Sequence, residues 1–417
     1  MTASLRTRLS TTYTSYPPQF WLMFSGLLVS RIGTSMIWPF LMIYVSERLA
    51  LPLAAVSSLL TLNAASGLIT SFLAGPVVDR FGRKWMMVIG LGLHGVTYLL
   101  LSLANTLPQF AFLMILSGAV APLYMVASDA MLADLVSPER RTDAYALMRL
   151  SSNAGIAIGP VVGGVLVSVN YNLAFYLAAT GLITFSLLLL FFAHETMPAL
   201  EVEPGIQPAS NAISFRASLG GYLSIFRDRT FMRFITLVTL GILPGVLIWT
   251  LMPIYAKQNY AVPEKIYGLI PTTNALMVVF LQLPVTRFSK RFPARKVMAA
   301  GALGYSLGAG LVGLARSFPG FWLSMIVMTF GELALVPTSS SYAANLAPAD
   351  MRGRYMSLYN LTWSISMGIG PLFGGILNDR IGPWAIWIGG LLVGMTSVVG
   401  FLRSKPGGTD KSPASKG

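Results

Sequence analysis

The chain contains 417 residues, of which 54% are hydrophobic and 11% are charged. Water-soluble domains carry about 25% charged residues, so this composition excludes an ordinary soluble enzyme and predicts a membrane protein. The net charge of +14 does not require a nucleic-acid partner, because Lys and Arg also collect in the cytoplasmic loops of membrane proteins. The chain has no Cys and only two His residues, so disulfides are excluded and we expect no metal site.

Twelve apolar segments follow one another along the chain at even spacing. A helix that spans a bilayer needs about 20 residues, and a helix satisfies its backbone hydrogen bonds within the segment. The first segment carries Arg31 near its centre and is too long for the apolar part of a signal peptide. We therefore predict an all-α polytopic fold with spans at residues 19–45, 53–77, 85–104, 108–134, 144–169, 172–193, 231–256, 266–288, 296–315, 318–345, 355–378 and 383–402.

The basic residues predict how these spans are oriented. With both termini in the cytoplasm, 22 of the 29 Lys and Arg residues fall on the cytoplasmic side and five on the outer side. This distribution follows the positive-inside rule. It predicts cytoplasmic N- and C-termini, and it accounts for the excess positive charge without a nucleic acid.

The loop between spans two and three reads Gly75-Pro-Val-Val-Asp79-Arg80-Phe-Gly82-Arg83-Lys84. Gly75 is expected to let two helices approach closely, and Gly82 to permit a tight turn. Asp79 can be stabilised by the dipole at a helix N-terminus, and Arg83 is expected to pair with Asp134 at the end of span four. We interpret this cluster as a gate or latch, with a plain topological anchor as the alternative.

This loop resembles the signature loop of the major facilitator superfamily, G-x-x-x-D-R-x-G-R-K/R, at every key position. The resemblance implies twelve transmembrane helices arranged as two pseudo-symmetric six-helix bundles. The corresponding segment after span eight, residues 287–296, keeps its basic residues but lacks the Asp and the Gly. We therefore expect the latch to be weaker or absent in the second half.

Span five contains a glycine motif that span eleven repeats. The two copies are Gly155, Gly159, Pro160, Gly163 and Gly164, and Gly370, Pro371, Gly374 and Gly375. The motif resembles the antiporter motif of the drug:proton antiporter branches, which implies export, although generic close packing explains the glycines equally well. Those branches often carry an Arg in span four at the position of Met114 in this chain. Proton coupling would therefore use a different basic residue or none.

A shift of 211 residues aligns residues 141–164 with residues 352–375. A repeat of this length indicates a duplicated six-helix bundle and places a substrate site near the bilayer midplane. We predict an N-terminal bundle at residues 1–193, a cytoplasmic linker at 194–230, a C-terminal bundle at 231–403 and a disordered tail at 404–417. Within the linker, residues 214–229 are expected to form a short interfacial helix.

Four ionisable residues inside the spans stand out, because each costs at least ~2.5 kcal/mol to place there. Arg149, near the start of span five, is expected to extend to the cytoplasmic surface, and the other three indicate function. Glu332 lies near the middle of span ten, Arg31 about as deep in span one, and Asp129 in the cytoplasmic part of span four. We predict that Glu332 couples transport to protons; a structural Glu hydrogen-bonded to a neighbouring helix is the alternative. Arg31 is expected to pair with Asp129, to hold an anionic substrate or to tune a nearby carboxylate.

The candidates for the substrate cavity are polar and aromatic residues on the helices that the resemblance assigns to it. They are Asn63, Tyr124, Trp249, Asn274, Gln282, Asn360 and Trp363, and packing is the alternative role for each. The 21 Met residues and 11% aromatic residues favour an adaptable apolar cavity, which suits lipophilic substrates.

Together these features predict a proton-coupled exporter of lipophilic or amphipathic compounds, a multidrug efflux protein of a bacterial inner membrane. We expect a monomer that works by alternating access, with protons and a lipophilic or cationic small molecule as partners and no cofactor beyond the proton gradient. An exporter of sugars, siderophores or lipids and a proton symporter are the alternatives within this fold. A membrane enzyme lacks support, because the sequence has no His cluster, dinucleotide fingerprint or P-loop lysine.

Overall fold

The computed structural model describes residues 16–197, 225–348 and 351–404. All regular secondary structure in these ranges is helical, which confirms the all-α prediction. The predicted tail beyond residue 404, most of the predicted linker and the first part of the predicted interfacial helix lie outside the described residues.

Twelve long helices in the described ranges occupy the positions of the twelve predicted spans. A helical turn, Glu264–Tyr267, directly precedes the eighth, and a 3-10 turn, Pro138–Arg140, precedes the fifth. The long helices are α1 (Pro18–Leu49), α2 (Leu53–Phe81), α3 (Arg83–Leu103), α4 (Leu107–Leu135), α5 (Arg141–Val169), α6 (Tyr171–Phe192), α7 (Arg229–Tyr260), α8 (Leu269–Ser289), α9 (Ala294–Leu314), α10 (Phe318–Leu346), α11 (Arg352–Arg380) and α12 (Ala385–Leu402).

Eleven of these helices are long and apolar enough to cross a membrane, by length and composition. The remaining helix, α11, is 29 residues long but carries Asn360 along its length and Asp379 near its end. Large apolar side chains such as Phe72 and Phe112 are exposed on the helices, where a bilayer would cover them with lipid. The chain is a multi-pass membrane protein.

The chain divides into two compact units, and each unit takes a segment from the other half of the sequence. Among the described residues, one unit comprises 16–44, 65–197 and 264–275. It holds most of α1, the later part of α2, α3 to α6 and the beginning of α8. The other comprises the described residues of 45–64, 225–263 and 276–404, and it holds α7, most of α8, α9 to α12 and the beginning of α2.

Glycines allow close helix approaches within each unit. In the first unit, a Cβ atom on Gly155 of α5 would lie 2.6 Å from the Cβ of Arg31 on α1. In the second unit, a Cβ atom on Gly331 of α10 would lie 2.6 Å from the carbonyl oxygen of Gly301 on α9. Membrane helices associate through such small residues because lipid supplies no hydrophobic force between them.

Candidate functional site

The signature loop forms a sharp turn with an ion-pair cluster beside it. Gly82 separates α2 from α3 and has a φ of +92°, a conformation that favours glycine. Arg83 Nε lies 3.2 Å from Asp134 Oδ2, so the predicted pair is present. A guanidinium nitrogen of Arg83 also lies 3.5 Å from Asp79 Oδ1. The Arg83 side chain is 13% exposed, so its two carboxylate partners compensate a largely buried charge.

Glu195, which follows α6, joins this cluster and was missed by the sequence analysis. Its two carboxylate oxygens accept hydrogen bonds from the backbone N–H groups of Arg83 (3.0 Å) and Lys84 (3.1 Å). These are the first N–H groups of α3, which have no partner within the helix. The neighbouring Thr196 hydroxyl donates to Asp134 Oδ2 at 3.2 Å. Glu195 therefore caps α3 and ties the end of α6 to the signature loop.

Gly75 differs from the expectation. A Cβ atom built on it meets no described atom within 4 Å, so no close helix approach occurs at Gly75 in this structure. Asp79 has a side chain that is 72% exposed and lies beside Arg83. The close contacts of the loop come from Gly82 and Arg83, which lie about two helical turns after Gly75.

The glycine motif of α5 packs against α1, as small residues spaced four apart predict. Cβ atoms on Gly159 and Gly163 would overlap Ser35 and Met36 of α1. The other face of the motif packs on the segment before α8, where a Cβ on Gly164 would lie 2.5 Å from the Glu264 carbonyl oxygen. The second copy of the motif also packs closely, since a Cβ on Gly374 would approach Leu247 of α7 to 2.9 Å. The buried Pro371 lies beside it in the same helix.

Arg31 lies within electrostatic range of polar groups on α3 and α4. Its charge acts on His94, Tyr124 and Asp129, although Arg31 and Asp129 form no direct ion pair in the described part of the chain. The Nε atom of Arg31 is buried without a hydrogen-bond partner among the described residues. A ring nitrogen of His94 lies 3.3 Å from the Ser117 hydroxyl. The sequence assigned no role to His94, and the structure places it in this polar cluster.

Glu332 lies at the midpoint of α10, which runs from Phe318 to Leu346. Its side chain is half-buried. The adjacent Gly331 makes the close approach between α9 and α10, so the carboxylate is carried by a tightly packed helix pair. A rigid helix position fixes an ionisable group better than a loop does.

The cavity candidates are distributed over both units. Tyr124 and Asn274 are buried within the first unit. In the second, the Gln282 amide donates to Thr286 Oγ1 (2.9 Å) and to the Leu333 carbonyl oxygen (3.2 Å), beside Glu332. Trp249 is half-buried on α7 and Trp363 is 42% exposed on α11. Asn63 on α2 is half-buried and Asn360 on α11 is exposed.

The chain matches the family model described as Major Facilitator Superfamily over residues 23–260 and 242–417. It is 30% identical over 361 residues to a Na(+), Li(+), K(+)/H(+) antiporter of Planococcus maritimus, covering 81% of this chain and 84% of that protein. It is 24% identical over 389 residues to the multidrug resistance protein MdtH of Salmonella typhimurium, covering 92% of each chain. Among solved structures, the nucleoside transporter NupG matches with a TM-score of 0.77 at 13% identity, covering 92% of this chain and 98% of that chain. A POT family transporter matches with a TM-score of 0.72 at 18% identity, covering 93% and 95%.

Proposed function

The chain belongs to the major facilitator superfamily, and we propose that this membrane transporter exports lipophilic or amphipathic cations in exchange for protons. The observation that carries the proposal is the Glu332 carboxylate at the middle of a membrane-spanning helix. An ionisable side chain at that depth is costly and marks an ion or proton pathway. The multidrug resistance protein among the relatives supports export of this class of compound.

In this proposal, Glu332 binds either a proton or the cationic substrate. The ionised carboxylate attracts the cation from the cytoplasmic side, and a proton arriving from the outside displaces it. The neutral, protonated carboxylate costs less to carry back through the apolar part of the protein. Each cycle therefore exchanges one bound cation for at least one proton at the same group.

The polar cluster around Arg31 contains a second carboxylate that can take part in proton coupling, that of Asp129. Asp129 of α4 is exposed, and the Arg31 charge acts on it without a direct ion pair. A cation that approaches Asp129 is opposed by Arg31, and this opposition favours release once Asp129 is protonated. We assign Arg31 the role of tuning this carboxylate.

The signature loop acts in this proposal as a latch on the cytoplasmic side. Arg83 joins Asp79 and Asp134, and Glu195 holds the first turn of α3. Such charged contacts stabilise the conformation in which they form, so breaking them shifts the conformational equilibrium away from it. We also propose that the protein lies in a bacterial inner membrane with both termini in the cytoplasm.

A second candidate function is the exchange of monovalent metal cations for protons. The relative at 30% identity is named a Na(+), Li(+), K(+)/H(+) antiporter, which favours this candidate over a sugar, siderophore or lipid exporter and over a proton symporter. Hard cations prefer oxygen ligands, and the Glu332 carboxylate would supply them.

Purified protein in liposomes with an imposed pH gradient distinguishes the two functions. We expect the gradient to drive transport of tetraphenylphosphonium or ethidium by the wild type, and Glu332→Gln to abolish it while the protein remains folded. Movement of protons on addition of Na⁺ or K⁺, without transport of either organic cation, would favour the metal-cation antiporter.

Glu139→Gln is the matched control for this experiment. It also replaces a carboxylate with an amide, but at an exposed position between α4 and α5. Hydrogen bonds from its own backbone N–H and from Ser137 hold the pKa of Glu139 below its usual value, so the control removes a charge that is present at neutral pH. Unchanged gradient-driven transport in Glu332→Gln would remove Glu332 from the mechanism.

A further inference from the structure

The loop between α11 and α12 repeats the spacing of the signature loop. Gly375-Ile-Leu-Asn-Asp379-Arg380-Ile-Gly382 and Gly75-Pro-Val-Val-Asp79-Arg80-Phe-Gly82 both read G-x-x-x-D-R-x-G. The two closing glycines are the only glycines with positive φ in the described ranges, +92° at Gly82 and +139° at Gly382. The predicted topology places the first loop in the cytoplasm and the second outside. We propose that the second loop is an outer latch and that Asp379 is its positioning residue.

Asp379 holds the first turn of α2. Its Oδ1 atom accepts a hydrogen bond from Leu53 N at 3.0 Å, and its Oδ2 atom accepts one from Ala54 N at 2.8 Å. These N–H groups have no partner within α2, and the positive end of the helix dipole stabilises the carboxylate. The Asn378 amide donates to Asp379 Oδ1 at 2.9 Å and helps to orient it. One side chain thus joins α11, from the second half of the sequence, to α2, from the first.

The backbones of α2 and α11 approach each other closely beside Asp379. A Cβ atom on Gly375 would lie 2.7 Å from the Cα of Ala54. Further along the same two helices, the Thr61 hydroxyl donates to the Gly368 carbonyl oxygen at 2.5 Å. Gly375 therefore has the close-approach role that Gly75 does not have in the signature loop of this structure.

A second link lies at the same predicted face and within the same unit. Lys257 Nζ of α7 is 2.6 Å from Glu47 Oε1 of α1, and the Gln258 amide donates to the Ser46 hydroxyl at 3.0 Å. These contacts also join the second half of the sequence to the first. An exposed ion pair alone contributes little, whereas several charged contacts that form and break together can shift a two-state equilibrium.

The inference rests on the proposed function to the extent that transport occurs by alternating access. In such a cycle the two halves separate at the outer face, and α2 must leave α11 there. The contacts of Asp379 exist only while that face is closed. Loss of the carboxylate therefore favours the outward-open conformation, independently of substrate and protons.

The absence of native cysteine allows a direct test. Thr61→Cys places one thiol on the face of α2 that meets α11, and a membrane-impermeant maleimide applied to intact cells reports its opening. We expect Asp379→Asn to raise the labelling rate roughly two- to fivefold, the range for loss of a charge at a helix N-terminus. Asp379→Glu should restore part of the wild-type rate, and so distinguish positioning from a general loss of structure.

Two controls accompany this experiment. Arg380→Gln changes the exposed next residue of the same turn and should leave the labelling of Thr61→Cys unchanged. A reference thiol at Asn105, exposed in the loop between α3 and α4, should react equally in every variant. If Asp379→Asn does not fold, Glu47→Gln should raise labelling in the same direction, and the exchange Glu47→Lys with Lys257→Glu should reverse the effect.

The outcomes separate this inference from the proposed function. Unchanged labelling in folded Asp379→Asn and Glu47→Gln would overturn the outer latch, whether or not the wild type exports organic cations. Increased labelling in protein that exports no organic cation would leave the latch in place and overturn the proposed substrate class.

Discussion

Gly82 fixes the turn between α2 and α3 for two separate reasons. Its backbone angles, φ +92° and ψ 154°, lie in a region that is almost restricted to glycine. A Cβ atom at this position would also meet the Glu195 carboxylate that caps α3. The residue therefore serves both the turn and the cap.

We expect Gly82→Ala to lower the free energy of unfolding by about 1–3 kcal/mol, because alanine strains this backbone conformation and displaces the cap. Thermal unfolding in detergent measures the change. Gly75→Ala is the matched control, since a Cβ at Gly75 meets no described atom within 4 Å and alanine favours the interior of α2. An equal loss of unfolding free energy in Gly82→Ala and Gly75→Ala would contradict the roles of Gly82 in the turn and the cap.

The ion pair of Arg83 with Asp134 was predictable from the sequence and the cap from Glu195 was not. The pair is present at 3.2 Å, as the spacing and the end of span four predict. Glu195 lies 112 residues from Arg83, and its role depends on where α6 ends relative to α3. The structure places Glu332 at the midpoint of α10, and its functional role stays a prediction.

At the scale of the helices, hydropathy predicted the twelve elements but not which of them touch. Each predicted span falls on one helix, since burial in lipid requires a long apolar segment with internal hydrogen bonds. The packing of α5 on α1 depends on glycines whose partner the sequence does not name. The structure identifies Arg31 and Met36 of α1 as their partners.

This packing predicts different costs for two glycine substitutions. A Cβ on Gly155 would lie 2.6 Å from the Cβ of Arg31, whereas a Cβ on Gly368 of α11 would lie 3.7 Å from its nearest neighbour, Ala64. We expect Gly155→Ala to destabilise the protein by about 1–3 kcal/mol through overpacking. Gly368→Ala should be neutral within about 0.5 kcal/mol, because its contact is an ordinary one. Thermal unfolding in detergent compares the stability of the two variants. A larger loss of stability in Gly368→Ala than in Gly155→Ala would contradict the packing of α1 on α5.

At the scale of the whole molecule, each of the two compact units consists mainly of one half of the sequence and takes helix ends from the other half. The beginning of α2 belongs with α7 and α11, and the beginning of α8 belongs with α5. The repeat at a shift of 211 residues indicates duplication, but the exchanged segments follow from long-range contacts such as Asp379 with α2. The repeat pattern alone does not predict whether a helix end contacts its own half of the sequence or the other half.

The charge distribution predicts the orientation of the whole molecule, and this prediction can be measured directly. With both termini in the cytoplasm, 22 of the 29 basic residues fall on the cytoplasmic side, as the positive-inside rule predicts. A green fluorescent reporter that matures only in the cytoplasm should be bright when fused after Arg403 and dark when inserted at Asn105. Alkaline phosphatase, which is active only outside the cytoplasm, should give the opposite pair of results. The reverse pattern would place Asp379 and the outer latch in the cytoplasm and the signature loop outside, and would exchange the two faces in the proposed transport cycle.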